Sequence, residues 1–349
     1  MIGRQIVLGE YRGREAAVLI VDGRLEDLLI APPDGAGFGP GAILRGIVDR
    51  PVKGLGGVFV RLPGQNGFLR EASGLAPGQP VLVQVSGHAE PGKAQPLTTR
   101  LLFKSRHAIV TPFAPGLNLS RRIRAAEDRA RLEAIAAAAM TGSSFGLILR
   151  SAAAMAEEGE IANDIATMRS LAENVVADLS GGPELLLDAP GPQEEAWRDW
   201  ADPLPDAVAS EPGAFSAHGI DDMIDAILRP AVTLPGGGQM MIEPTRALVA
   251  VDVNTGADTS PAAGLKANIA AARDLPRQLR LRGLGGQIVV DFAPMPKRDR
   301  AALEQQLRAA FKAGAAETSL AGWTPLGMFE LQRKRDRIPL TETLAPPVT

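Results

Sequence analysis

The stretch ALVAVDVNTGADTS, residues 247–260, decides how this chain is read. Ala247 to Val251 are apolar and either small or β-branched, the composition of a buried strand. Yet Asp252 and Asn254 end it. Downstream, GGQIVVDFAPMP (285–296) repeats the pattern, with Ile288, Val289 and Val290 leading into Asp291. A polar loop (255–261), a helical segment (about 262–282) and the turn GLGG (283–286) lie between them. Strand–helix–strand order favours two parallel strands joined by a right-handed crossover. As neighbours, such strands bring both carboxylates to one C-terminal edge, where α/β sheets bind ligands. The strand spacing of about 4.8 Å then lets them share one cation.

Two carboxylates completed by water suit Mg²⁺, with Mn²⁺ as the alternative ion. Such an ion polarises a phosphoryl oxygen and activates water. Asn254, two residues beyond Asp252, faces the same way and has an amide that can hold a phosphate. On spacing alone an Asx-turn or a helix cap explains Asp-x-Asn equally well.

Composition narrows the field. At 349 residues the chain is long for one core, so two or more domains are expected. It has no Cys, which excludes disulfides, thiolate zinc sites and cysteine nucleophiles among these residues. His88, His107 and His218 are scattered, against a histidine metal site or a Ser-His-Asp triad. The N-terminus lacks a signal-peptide pattern and no apolar run is long enough to span a membrane, so a cytoplasmic protein is expected. Net charge is −3, but residues 100–131 hold eight Lys/Arg against two acids and 266–300 hold eight against three, while 184–225 hold eleven acids against one Arg. Two basic surfaces and one acidic one are implied. LPGGGQ and GLGG fit neither GxxxxGK[ST] nor GxGxxG and read as turns.

Short strands fill residues 5–31, and strands spaced by about ten residues over 41–103 suggest a small β-barrel. SRRIRAAEDRARLEAIAAAAM reads as a helix capped by Ser120. FGLILRSAA reads as a buried strand leading into an Ala-rich helix. Residues 181–217, rich in Pro, Gly and acid, read as a loop-rich connection. IDDMIDAILRPAV reads as an amphipathic helix, and the tail APPVT as disordered.

ALVAVDVNTG, NIAAARDLPRQLRLRGLGGQIVVDF and LGMFELQRKR, in this order and at this spacing, resemble the catalytic block of the ribonuclease E/G family. The resemblance extends over nearly the whole chain. It implies a Mg²⁺-dependent endoribonuclease that cuts single-stranded, often AU-rich RNA in processing and decay and leaves a 5′-phosphate downstream. Asp252 and Asp291 fall where that family holds Mg²⁺, and Asn254 where it places the accompanying Asn. The implied architecture is α+β and α/β multidomain. A ribonuclease H-like part (1–40 and 181–235) carries an inserted OB-fold barrel (41–103) and a 5′-sensor region (104–180). A DNase I-like catalytic part with the tail (236–349) follows.

The resemblance also assigns RNA contacts. Phe59 and Phe68 in VFVRLPGQNGFL fall where the family stacks bases, and Lys93 matches its substrate lysine. A Phe in a small barrel is otherwise a core residue. Arg273, Arg277 and Arg280 recur at i, i+4, i+7 on one helical face, and Lys297 and Arg298 follow Asp291; these would contact phosphates, although a charge run is usually a solvated face. GLILRSA resembles the family's 5′-monophosphate pocket, giving that role to Arg150 and Ser151, the latter where Thr is usual. Arg-Ser at a helix start also reads as a cap.

Three departures stand out. The cysteines of the family's zinc link are missing, so any homo-oligomer rests on other contacts. Pro276 inside the basic helix predicts a kink or restart. APMPKRDR lacks the acid and His usual after the second Asp. The rival readings are a non-catalytic RNA-binding relative and a metal phosphodiesterase acting on DNA.

Overall fold

A computed structural model describes residues 3–52, 56–70, 73–89, 92–260, 262–314 and 316–345. The end of the tail, 346–349, lies outside these. The fold mixes α and β structure, and the chain divides into two compact units: residues 1–22 with 29–210, and residues 23–28 with 211–349.

The first unit opens with a hairpin, Arg4–Tyr11 antiparallel to Arg14–Val21. Its two-residue turn has positive φ at Arg12 (51°) and Gly13 (73°), the mirror-image turn that matches strand twist. The chain returns to this hairpin far downstream, where Ala207–Ala209 pairs parallel with the first strand, Gln5 opposite Ala207. Helix Pro192–Trp200 buries Ala196 and Trp200 against Ile6, Ala17 and Leu19.

Five strands close a barrel in the same unit. Ile43–Val52, Gly57–Leu62 and Gln65–Leu69 run antiparallel in turn; Gln65–Leu69 pairs parallel with Gln95–Thr98, and Pro80–Val85 closes the ring on Ile43–Val52. This order is consistent with an OB-fold. Its core is aliphatic: Val48, Val58, Val60, Leu69, Val83 and Leu97. Beside it, strands Phe103–Lys104, Ala108–Thr111, Leu117–Leu119 and Gly146–Leu149 form a second sheet packed by helices Ala126–Ala139 and Glu158–Ala177.

The second unit is a six-stranded sheet in the order Ala231–Thr233, Gln239–Pro244, Val249–Asn254, Gly286–Asp291, Phe329–Arg333, Thr318–Trp323. Only the central pair is parallel. Helix Ala263–Leu281 makes the crossover between them and packs beside helix Arg300–Ala313. Ala271, Leu275, Leu279, Leu303 and Leu307 pack onto Val251, Val253, Ile288 and Val290.

Four expectations change. The central strands are half-buried, not buried: exposure alternates along Val249–Asn254, because helices cover one face and leave the other open. Ser120 caps no helix; the helix begins at Ala126, and the Ser120 hydroxyl accepts from the Arg122 amide in a turn. The acidic stretch 181–217 is substantially ordered, contributing two strands and two helices, because Trp200 and Ala196 are apolar anchors that its composition obscured. The helix runs through Pro276 without a restart; Leu275 and Leu279 on either side bury against the sheet and outweigh one lost backbone bond.

Candidate functional site

Asp252 and Asp291 stand directly opposite each other across the two parallel strands. Both point to the open face, since Val251, Val253 and Val290 take the buried positions of the alternation. Asn254 joins them there, and its Nδ2 donates to Asp252 Oδ2 at 2.6 Å. The bond fixes one carboxylate oxygen and leaves the other free to ligate. Two hard carboxylate donors about one strand spacing apart fit a hydrated divalent ion. Among the described residues no group of three or more His, Asp or Glu is placed to hold a metal.

A set of residues that sequence reasoning passed over holds the end of the Asp291 strand. Asn268, fully buried on the crossover helix, donates from Nδ2 to the Ala293 carbonyl and accepts at Oδ1 from the Ala293 amide, each at 2.9 Å. It thus reads both backbone groups two residues beyond the carboxylate. Gly264 lets the same helix approach: a Cβ there would meet the Pro294 carbonyl oxygen at 2.1 Å. On the other side Phe292 packs near Trp323 and Phe329, with ring centroids 5.9 and 6.4 Å away, and Trp323 Nε1 donates to Glu304 at 2.7 Å. The available signal was a polar Asn on the buried stripe Asn268, Ala272, Leu275.

The arginines of the basic helix face have partners within their own unit. Arg277 bonds Asp274 at 2.7 Å and the Leu25 carbonyl; Arg280 bonds Glu26 and approaches Asp27 at 3.4 Å. Arg273, exposed, donates to Gln306 at 3.1 Å. These three, with Glu26 and Gln306, line a cleft of about 390 Å³ between the two helices. That layer covers the sheet face opposite the carboxylates, so the arginines and the Asp pair are not brought together. Lys297 and Arg298 are exposed and begin the segment leading into helix Arg300–Ala313.

Asp274 explains why Arg277 is held. Burial pushes its carboxyl up, but hydrogen bonding and charge from Arg277, then Gln278 and Arg24, more than offset this, so it titrates below the ordinary 3.8. Its folded pKa being the lower one, its stabilisation is complete above the unfolded value and is lost as pH falls through the folded one. Asp274→Asn should therefore be less stable than wild type at neutral pH. The gap should narrow on acidification below about pH 3.8, followed by circular dichroism; a gap independent of pH would contradict this role.

In the barrel, Phe59 and Phe68 face each other across antiparallel strands, with centroids 5.5 Å apart at 64°. Both are half-exposed, while their neighbours Val58, Val60 and Leu69 fill the core. They are an outer-surface pair, not core. Lys93 is exposed in the turn before the strand Gln95–Thr98, which pairs with the Phe68 strand.

Arg150 and Ser151 lie where strand Gly146–Leu149 passes into a 3₁₀ turn. Arg150 donates to the Ser105 carbonyl (2.7 Å), the Arg198 carbonyl (3.1 Å) and Asp199 Oδ1 (2.6 Å), and Ser151 Oγ donates to Asp202 at 2.7 Å. Burial pushes Asp199 up, but Arg198 and Arg150 more than offset it, so it titrates below the ordinary range. Burial and the Arg198 charge lower Lys104.

With this geometry in hand, comparison with known proteins is informative. The ribonuclease E/G family model matches residues 103–211 and 204–336. The chain is 29% identical over 388 aligned residues to ribonuclease E of Nostoc sp., covering 95% of this chain and 56% of that protein. It is 29% identical to ribonuclease G of Salmonella typhimurium over 300 residues (74% of this chain, 60% of that protein), and 28% identical to ribonuclease G of Escherichia coli with the same coverages. The chain thus spans a little over half the length of these relatives. Among the described residues no helix is long and apolar enough to cross a membrane. The family match covers well over half of the chain, including both strands that carry the facing aspartates, and the chain belongs to the ribonuclease E/G family.

Proposed function

We propose that this chain is a divalent-metal-dependent endoribonuclease. It hydrolyses single-stranded, AU-rich RNA in RNA processing and decay and leaves a 5′-phosphate on the downstream product. The observation that carries this reading is the register of the parallel pair, with Asp252 opposite Asp291 on an open sheet face. Family membership and the relatives' being ribonucleases by name support the substrate class.

Asp252 and Asp291 would hold Mg²⁺, or Mn²⁺ in its place. The chemistry supplied by an ion held there would be polarisation of a phosphoryl oxygen and a lowered pKa for bound water. Asn254 orients the Asp252 carboxylate with one amide N–H and retains a second for a phosphate oxygen. Asn268 keeps the Asp291 strand end in register by holding Ala293. The open face admits an extended strand without a lid, which suits an internal cut in single-stranded RNA.

The proposed organisation places a ribonuclease H-like part at 1–40 and 181–235, the OB barrel at 41–103, a 5′-sensor region at 104–180 and a DNase I-like catalytic part from 236. Lys93, Lys297 and Arg298, all exposed, would contact phosphates. Arg273, Arg277 and Arg280 would act at most at the rear of the catalytic part, since Arg277 and Arg280 are committed to internal carboxylates. The reading includes a cytoplasmic setting and a homo-oligomer.

Phe59 and Phe68 supply the stacking platform. Each stacked base contributes about 1–3 kcal/mol, so Phe59→Ala/Phe68→Ala should weaken RNA binding by about tenfold or more, measured by fluorescence anisotropy with EDTA present. Because the pair lies outside the barrel core, the melting temperature should change little; a large drop with unaltered binding would return the pair to a structural role.

The function is tested by offering the same AU-rich sequence as single-stranded RNA, single-stranded DNA and duplex RNA, with Mg²⁺. Internal cuts in single-stranded RNA alone, with phosphate on the new 5′ ends, are expected. Preferential cutting of DNA would replace this reading with that of a DNA phosphodiesterase.

A further inference from the structure

The donors of Arg150 and Ser151 are already spent on carboxylates of the same unit. Asp199 gives Oδ1 to Arg150 at 2.6 Å and Oδ2 to Arg198 at 2.7 Å, bridging two guanidinium groups. Asp202 takes the Ser151 hydroxyl. Both acids belong to one segment, the end of helix Pro192–Trp200 and the turn after it, and that segment is anchored by Trp200 against the N-terminal hairpin. Arg106 adds a donor to the Ala201 carbonyl at 3.2 Å and stacks on Trp197, 5.1 Å from the ring centroid. Two carboxylates thus make, between them, the three contacts that the oxygens of a single terminal phosphate would make.

The charge balance fits the same picture. Lys104, Arg150 and Arg198 surround Asp199, and Lys104 loses basicity to burial and to the Arg198 charge. Asp199 is joined by Glu195, 4.0 Å from Arg198, and by Asp202 on Ser151, so acids of the chain itself face these cations. The cluster has the composition of an anion site, and what fills it is the chain itself.

We propose that Asp199 and Asp202 are specificity-determining residues: they occupy, in place of a 5′-terminal phosphate, the anion site formed by Arg150, Ser151 and Arg198, and so make this chain indifferent to the phosphorylation of an RNA 5′ end. The inference rests on the RNA-cleaving function proposed above and on Arg150 and Ser151 as that function's contacts to a 5′ end. The carboxylates win by effective concentration, being tethered on either side of Trp200, which is fixed against the hairpin. An RNA phosphate must displace them before it gains a single bond.

The experiment compares one AU-rich ten-nucleotide RNA carrying either a 5′-monophosphate or a 5′-hydroxyl. Binding is measured with EDTA to wild type, to Asp199→Ala/Asp202→Ala, and to that variant with Arg150→Ala added. Asp199→Asn/Asp202→Asn, which is isosteric but places amide donors against the Arg donors, serves where the alanine variant does not fold. Wild type should bind the two RNAs within about twofold. The double variant should prefer the monophosphate by about tenfold, the scale of a charge-assisted hydrogen bond, and Arg150→Ala should abolish that preference. A wild type that already prefers the monophosphate by fivefold or more overturns the inference. So does a folded double variant that still treats both ends alike, since the acids would then be an ordinary structural ion pair. Cleavage of the 5′-hydroxyl RNA by wild type with Mg²⁺ is scored in parallel. If neither the 5′-hydroxyl nor the 5′-monophosphate RNA is bound or cut, the endoribonuclease reading fails and takes this inference with it; the other failures touch the inference alone.

Discussion

Asp291→Asn is expected to reduce RNA cleavage by about a thousandfold or more while leaving the fold intact, and to raise the metal-free melting temperature slightly. The first effect follows from loss of one of two ligands to the ion that stabilises transition-state charge. The second follows from register. Asp252 and Asp291 are directly opposed on neighbouring strands, and like charges in that position destabilise a sheet. Removing one relieves the repulsion, by ~1–3 °C for a chain of this size. Adding Mg²⁺ should raise the melting temperature of wild type only, because under the proposed function only wild type would offer the ion both carboxylates in the folded state. Asp252→Asn should behave alike, and the double variant should be little worse than either single one, as groups acting on one ion are not additive. Calorimetry with and without Mg²⁺, beside a cleavage assay, checks this. A variant that loses activity together with several degrees of metal-free stability would mark the aspartates as structural.

Asn268→Ala should be the most damaging single change away from the carboxylates. The side chain is fully buried and satisfies both the amide and the carbonyl of Ala293. Alanine leaves two buried backbone groups unpaired, at about 1–3 kcal/mol each, so a loss of about 2–4 kcal/mol is expected in urea unfolding. Because Ala293 follows Asp291 by two residues, the carboxylate should also lose its fixed position. Misplacement of this kind can cost about a hundredfold in rate, and it should raise the Mg²⁺ concentration needed for half-maximal cleavage. Asn268→Asp, which sets a buried carboxylate oxygen against the Ala293 carbonyl in place of the amide donor, should recover no stability at neutral pH. Unchanged Mg²⁺ dependence in a folded Asn268→Ala variant would limit Asn268 to packing.

The central strand pair was legible in the sequence because its signals are local. Two β-branched runs, each ending in Asp, flank a segment of helical length, and chirality leaves one topology. Which face those residues occupy was not legible, since an apolar run does not say whether helices cover one side or both. The partners of the arginines were not legible, for a different reason. Arg277 and Arg280 find their partners at Leu25, Glu26 and Asp27, about 250 residues away in sequence. A helical face of cations reads as solvated or ligand-binding until such partners are in place. Phe59 and Phe68 could not be assigned to either side of the barrel from spacing, because a single register shift exchanges inside and outside. Asp199 and Asp202 sat in a segment that reads as loop by composition, and only Trp200 and Ala196, buried on the hairpin, bring them to Arg150 and Ser151.

The most direct test of the two-carboxylate centre is cleavage of a labelled, AU-rich single-stranded RNA by wild type and by Asp252→Asn, each with Mg²⁺ and with EDTA. Internal cuts that require both Mg²⁺ and Asp252 are the predicted result. RNA that is bound and never cut by wild type, whatever divalent ion is supplied, would contradict the account and leave an RNA-binding protein in place of an enzyme.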